Sequence, residues 1–122
     1  MRGDKLMNTY EKETEILLRK LGVNRTYIGF KQVSYGVRLT IDNPFLLTHI
    51  SKGLYVEIAT YSHTTLYCVE RNIRTIKELI WKKADKELLK DIFGNIDEIP
   101  RNAEFMDDLA FYVWGIVNNE SF

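Results

Sequence analysis

Cysteine, proline and glycine are scarce in these 122 residues, with one, two and seven copies, and each shortage closes a class of structure. A single thiol, Cys68, makes no internal disulfide, so a small disulfide-stapled scaffold is excluded and the usage fits a reducing compartment. Two prolines and the absence of any repeat at a period of about 20–50 residues exclude low-complexity linkers and solenoids. No apolar run approaches the roughly 18 residues that a membrane span needs. The opening MRGDKLMNTYEKETE mixes both charge signs without the apolar stretch of a secretory signal, which points to a cytoplasmic protein. Strand alternation does not persist anywhere.

Catalytic signatures are missing as well. There is no HExxH, no CxxC, no glycine-rich phosphate loop and no GxSxG. His49, His63 and Cys68 are the only strong nucleophile or metal candidates, and a shared ion between His63 and Cys68, five apart across a helix start, needs a strained path. No enzyme activity, metal or cofactor is expected.

The net charge is zero, with 17 basic and 17 acidic residues, which taken alone argues against a polyanionic partner. The distribution argues the other way. Residues 16–83 carry eleven Lys/Arg against four acids, a charge of +7, whereas residues 84–122 carry three against nine, a charge of −6. Residues 1–15 hold three and four, leaving −1. Such a chain is a dipole with one basic end.

What remains is helical punctuation. An apolar set at 16, 17, 18 and 21 predicts a short helix from Thr14 to Leu21, closed by Gly22. A second runs from about Tyr27 to Ile41, stopping before Asn43-Pro44, with Gly29 and Gly36 inside it. Each interior glycine costs about 1 kcal/mol relative to Ala, so close packing against a neighbour is the expected compensation. A third helix spans Leu54 to Tyr61, with Leu54, Ile58 and Tyr61 on one face. The tight turn Ser62-His63-Thr64 leads to Thr65 as N-cap of a fourth helix, about 65–82. Asp85 caps a fifth helix, Lys86 to Phe93, and Asn102 caps a sixth, Ala103 to about Val117, where Phe105, Leu109, Tyr112, Val113 and Ile116 are spaced for burial. One all-α domain follows, residues 14–122, behind an N-terminal extension of residues 1–13.

The fourth helix is the most informative segment. At 100° per residue Leu66, Val69, Ile73, Ile76 and Ile80 share one stripe, with Tyr67, Arg71, Arg74 and Glu78 opposite and Lys77 taken as lying off the stripe. Arg can bond guanine O6 and N7 together and Glu can accept from a cytosine amine, so Glu70, Arg71 and Arg74 suit major-groove readout. Helix, short turn and longer helix in that order is the helix-turn-helix pattern. Tyr67, beside Arg74 on the wheel, and Lys77, Lys82 and Lys83 are the flanking or backbone candidates. Tyrosines at 55 and 61 read more simply as core edges with wet hydroxyls.

A longer set of residues carries a resemblance. Gly22-Val23, Gly29-Phe30, Leu54-Tyr55, Ile58-Ala59, Thr64-Thr65, Val69-Glu70-Arg71 with Ile73-Arg74 and Trp81, Phe93-Gly94, and Asn102-x-Glu104-Phe105 follow one another over roughly residues 14–118. In that order they resemble the C-terminal DNA-binding effector domain of stage-zero sporulation protein A, the sporulation response regulator. The resemblance implies a six-helix bundle that binds a short box in double-stranded DNA, commonly as tandem copies, and that touches RNA polymerase through its sigma subunit. It implies base reading by Glu70 and Arg71, base or phosphate contact by Arg74, and phosphate anchoring by Thr65 and its neighbour Thr64.

Departures from the family are specific. Ser62 stands where an apolar residue is usual, Tyr67 where a small one is, and Cys68 where a basic one is, so a phosphate or base contact is lost at 68. These residues hold no receiver domain of the kind that carries the phosphoacceptor aspartate, leaving either an excised effector or a receiverless relative. Two functional readings therefore stand side by side. One is a sequence-specific transcription regulator with its recognition helix in the major groove. The other is a degenerate paralogue that keeps the fold as a protein-interaction module.

Overall fold

The structure, a computed structural model, describes residues 8–118. It contains six helices: α1 Thr9–Lys20, α2 Ile28–Asp42, α3 Leu54–Ser62, α4 Leu66–Lys83, α5 Lys86–Phe93 and α6 Asn102–Val117, with a 3-10 turn at Pro44–Leu47 between α2 and α3. No strand occurs among the described residues. The expected all-α, six-helix bundle is what forms.

Helix α1 starts earlier than its apolar set predicts. Asn8 accepts from the Tyr10 amide at 2.7 Å while Glu11 accepts from the Asn8 amide at 3.4 Å, a reciprocal cap that places the helix start at Thr9. The helix thus reaches into the stretch read as an extension, and Thr14 is a buried interior residue whose hydroxyl donates to the Tyr10 carbonyl. Gly22, at φ 97, ends α1 as expected, with the amides of Gly22 and Val23 donating to the carbonyls of Arg19 and Leu18.

Helix α2 is the central element, packed on α1, α3, α4 and α6. Its glycines explain how. A Cβ on Gly29 would meet the Asn72 carbonyl oxygen at 2.7 Å and Ile76 at 2.7 Å, so α4 crosses α2 backbone to backbone at that point. A Cβ on Gly36 would meet Met106 and Ile58 at 2.8 and 2.9 Å, bringing α6 and α3 against the same helix. Around these crossings Phe30, Val33, Leu54, Ile58, Val69, Ile73, Ile76, Ile80, Phe105, Met106, Leu109 and Val113 form one core.

Several apolar residues placed in the core by periodicity lie outside it. Leu66 is 41 % exposed because it opens α4, a turn before the helix meets its neighbours, and Ile116 is 45 % exposed near the end of α6. Tyr61 is exposed at the end of α3, its ring stacked on Tyr35 with centroids 3.8 Å apart. Asn102 does not cap α6; Arg101 is the cap position, its amide donating to Glu104 at 3.3 Å, which frees the Asn102 side chain for longer reach. Asp85 does cap α5, accepting from the Leu88 amide at 3.1 Å.

Candidate nucleic-acid interface

The α3–α4 corner is built by hydrogen bonds that need no glycine. His63 takes φ 56, the one non-glycine positive φ among the described residues, and the amides of His63 and Thr64 return to the carbonyls of Thr60 and Ala59. That closes α3 as Gly22 closes α1, at the cost of about 1–2 kcal/mol that a side chain incurs in this conformation. Thr65 then accepts from the Cys68 amide at 3.1 Å and starts α4.

From there α4 is held by its buried row, with Val69, Ile73, Ile76 and Ile80 wholly inaccessible. Two polar clamps fix its rotation. The Asn72 amide donates to Gln32 of α2 at 3.0 Å, and the Asn102 amide reaches the Tyr55 hydroxyl at 2.9 Å and the Glu70 carbonyl at 3.3 Å. Neither clamp follows from helical periodicity, since each joins residues 32 or more apart. Opposite the buried row, Tyr67 is 65 % exposed and the Arg71 guanidinium lies 5.4 Å from its ring centroid. Arg74 donates to both oxygens of Glu70, at 3.0 and 2.8 Å. The three expected base-reading residues thus lie along one solvent-accessible arc, Arg71 exposed and Glu70 and Arg74 half-buried, one to three turns beyond a helix-turn-helix corner.

A family model described as sporulation initiation factor Spo0A C terminal matches residues 14–113. The chain belongs to that family. It is a family of DNA-binding effector domains in transcription regulation and sporulation, not of enzymes. Among the described residues no helix is long and apolar enough to cross a membrane, and no group of three or more His, Cys, Asp or Glu is placed to hold a metal ion.

The remaining expected site residues divide by position. Thr64 and Thr65 stand at the corner beside the arc, Thr64 half-buried and Thr65 exposed. Lys82 and Lys83 are exposed in the last turn of α4, with Lys83 alongside Gly22. At 1.5 Å per residue they lie roughly 18–20 Å along the axis from Glu70. Lys77 corrects the sequence reading: it is only 7 % exposed. Four residues past Ile73 and three before Ile80, it lies on the buried stripe and not off it, and burial pushes its ammonium below the ordinary lysine pKa.

Three creases border α4, the smallest of them beside the Gly29 crossing at Asn72, Thr75 and Ile76. One runs along the corner side and is lined by Ile28, Lys31, His63, Thr64, Cys68 and Arg71 among others. The Cys68 thiol there is held below its ordinary pKa by hydrogen bonding to Thr65 and then Thr64, with Arg71 adding to it. Another lies between α4, the 3-10 turn and the start of α6 and includes Thr48, Tyr55, Glu70, Arg74, Lys77, Arg101 and Asn102. Beyond Arg101 a separate, acidic hollow opens over the α5–α6 loop, where Glu98, Glu104, Asp107 and Asp108 surround Phe93 and Ile99. Burial, then Asp107 and Glu104, raises the Asp108 carboxyl. Residue placement thus brings the acidic segment next to α4 through Asn102, a contact that segment-wise charge counting does not reveal.

Proposed function

We propose that this chain is a sequence-specific regulator of transcription that lays α4 in the major groove of duplex DNA. Glu70 and Arg71 read base edges, Arg74 bridges bases and backbone, and Thr64 and Thr65 meet phosphate at the corner. One observation carries the reading: the opposite face of α4 is wholly buried, so Tyr67 and Arg71 stay exposed and the half-buried Glu70 and Arg74 keep their side chains open to solvent. The contact of Arg71 with the Tyr67 ring and the Glu70 grip on Arg74 order both side chains in part before DNA arrives, which reduces the ordering cost of binding.

A gel-shift comparison of a duplex bearing the family's box with a scrambled duplex tests this. The wild type should prefer the box, and Arg71→Ala should lose about 1–3 kcal/mol and relax the preference at one base pair. Equal affinity of the wild type for both duplexes sinks the reading.

The acidic hollow favours a second, compatible role as a protein surface. Ile99 is 48 % exposed among Glu98, Asp107 and Asp108, a polar-rimmed apolar spot of the kind a basic protein segment covers. The sigma subunit of RNA polymerase is the partner the family resemblance implies, and tandem binding of two copies on DNA is the assembly it implies. If specific DNA binding fails, this surface is what remains of the interaction-module alternative.

A further inference from the structure

Lys77 buries its stem and has no counter-ion. It is 7 % exposed, and among the described residues no carboxylate comes within 4.0 Å of its ammonium. The acids nearest in effect, Glu78, Glu70 and Glu104, do not supply a partner: Glu70 is committed to Arg74 at 2.8 Å, and Glu104 faces the Arg101 amide and guanidinium at 3.3 and 3.6 Å. The stem is packed away while the ammonium, which is not among the fully buried polar atoms, keeps an opening to solvent, so a cation without a partner is presented at the floor of a crease. Lys77 lines the crease of about 510 Å³ that Arg74, Arg101 and Thr48 also line, so three cationic side chains converge on one concavity with a single committed carboxylate among them.

We infer that this crease holds a backbone phosphate of bound DNA, with Lys77 as its floor and Arg101 and Thr48 as its walls. The inference rests on the reading that α4 enters the major groove. Its geometry follows from the helix rise. Lys77 stands seven residues beyond Glu70, about 10 Å along the axis, and the groove is about 12 Å wide. With the first turns of α4 at the base edges, Lys77 arrives where the groove ends and the sugar-phosphate ridge begins. The corner crease, with Lys31, His63 and Thr64, borders the helix on the other side and faces the second ridge. A phosphate in the α6 crease supplies the anion that Lys77 lacks, and its charge-assisted bonds are of the strong kind.

The test is the salt dependence of binding to scrambled and boxed duplexes by the full chain. Variants are Lys77→Met, which keeps the length of the side chain and removes its charge, Arg101→Ala, and Lys90→Ala on exposed α5 as a remote control. Thermal melts establish that each is folded. Lys77→Met and Arg101→Ala should each lower the salt slope by about 1 on both duplexes, so that the gap from wild type narrows about three- to four-fold between 50 and 200 mM salt, while box preference is kept. Lys90→Ala should leave the slope unchanged. A wild-type slope in folded Lys77→Met, or an equal fall in Lys90→Ala, overturns the crease while leaving the groove reading intact if Arg71→Ala still loses box preference. A wild type that does not bind duplex DNA overturns both.

Discussion

Helices α4 and α6 are the two longest in the bundle, and each drives an apolar row into the same core, yet their solvent faces carry opposite charge. Helix α4 has five basic residues against two acids, and α6 has three acids and no Lys or Arg. The buried rows explain why both are helices; the exposed residues explain why only one suits DNA. The difference is sharpened where they meet. Asn102, in the first turn of α6, donates to the Glu70 carbonyl of α4, so the acidic helix braces the basic one and does not stand apart from it. Charge segregated along the chain becomes, in space, a basic crease and an acidic hollow separated by Arg101.

The most severe way to break the comparison removes the shared core. Ile73→Asp buries a carboxylate where α4 is wholly inaccessible and should cost at least about 4 kcal/mol, unfolding the domain in a thermal melt. If the melt moves by only a few degrees, α4 is rotated and the arc assigned to DNA is wrong.

Next in size is the crossing at Gly29. Gly29→Ala pushes a methyl group against the Asn72 backbone oxygen and should cost about 1–3 kcal/mol while shifting α4 and weakening box preference. Gly36→Ala meets only the ends of the Met106 and Ile58 side chains, so it should be nearly neutral and leave preference unchanged. Equal losses at both positions would mean that the α2–α4 contact has no special role in aiming the recognition helix.

Lys77→Met separates the cost of the buried charge from its use. Because burial lowers the pKa of folded Lys77, the unfolded chain holds more protons between the depressed and the ordinary value, and stability rises with pH there. Wild type should therefore gain on Lys77→Met across the alkaline window just below the ordinary lysine range. At neutral pH, where Lys77 is charged in both states, the variant should be modestly the more stable. Denaturant titrations at a series of pH values decide it; a parallel pH profile for the two proteins would deny the burial effect.

The smallest effect expected comes from the acidic side. Asp107→Asn with Asp108→Asn should strengthen DNA binding less than about two-fold, since salt screens their repulsion over a Debye length of about 8 Å. A large gain, read by gel shift, would bring the acidic helix to the DNA and reverse the proposed orientation.

Local physics accounts for what was legible beforehand. Six helices, the corner at residues 62–65, the solvent-accessible side of α4 with Glu70, Arg71 and Arg74, and the close approach at Gly29 and Gly36 all follow from periodicity, capping chemistry and the cost of glycine in a helix. The start of α1 was also readable, in Asn8-x-x-Glu11, a cap signal that lies ahead of the apolar set. Lys77 was readable too, for its spacing from Ile73 and Ile80 puts it on the stripe; its charge argued against the position that its angle required.

Tertiary structure alone decided the rest. That Asn102 clamps α4 instead of capping α6, that Gln32 meets Asn72, and that Arg101 stands between a basic crease and an acidic hollow depend on contacts across 32 to 47 residues. A helix wheel records angles about one axis and holds no information on which neighbour occupies each angle. Periodicity therefore determined which face of α4 is free, and only the packing of α2, α3 and α6 around it determined how firmly that face is aimed and which charges flank it.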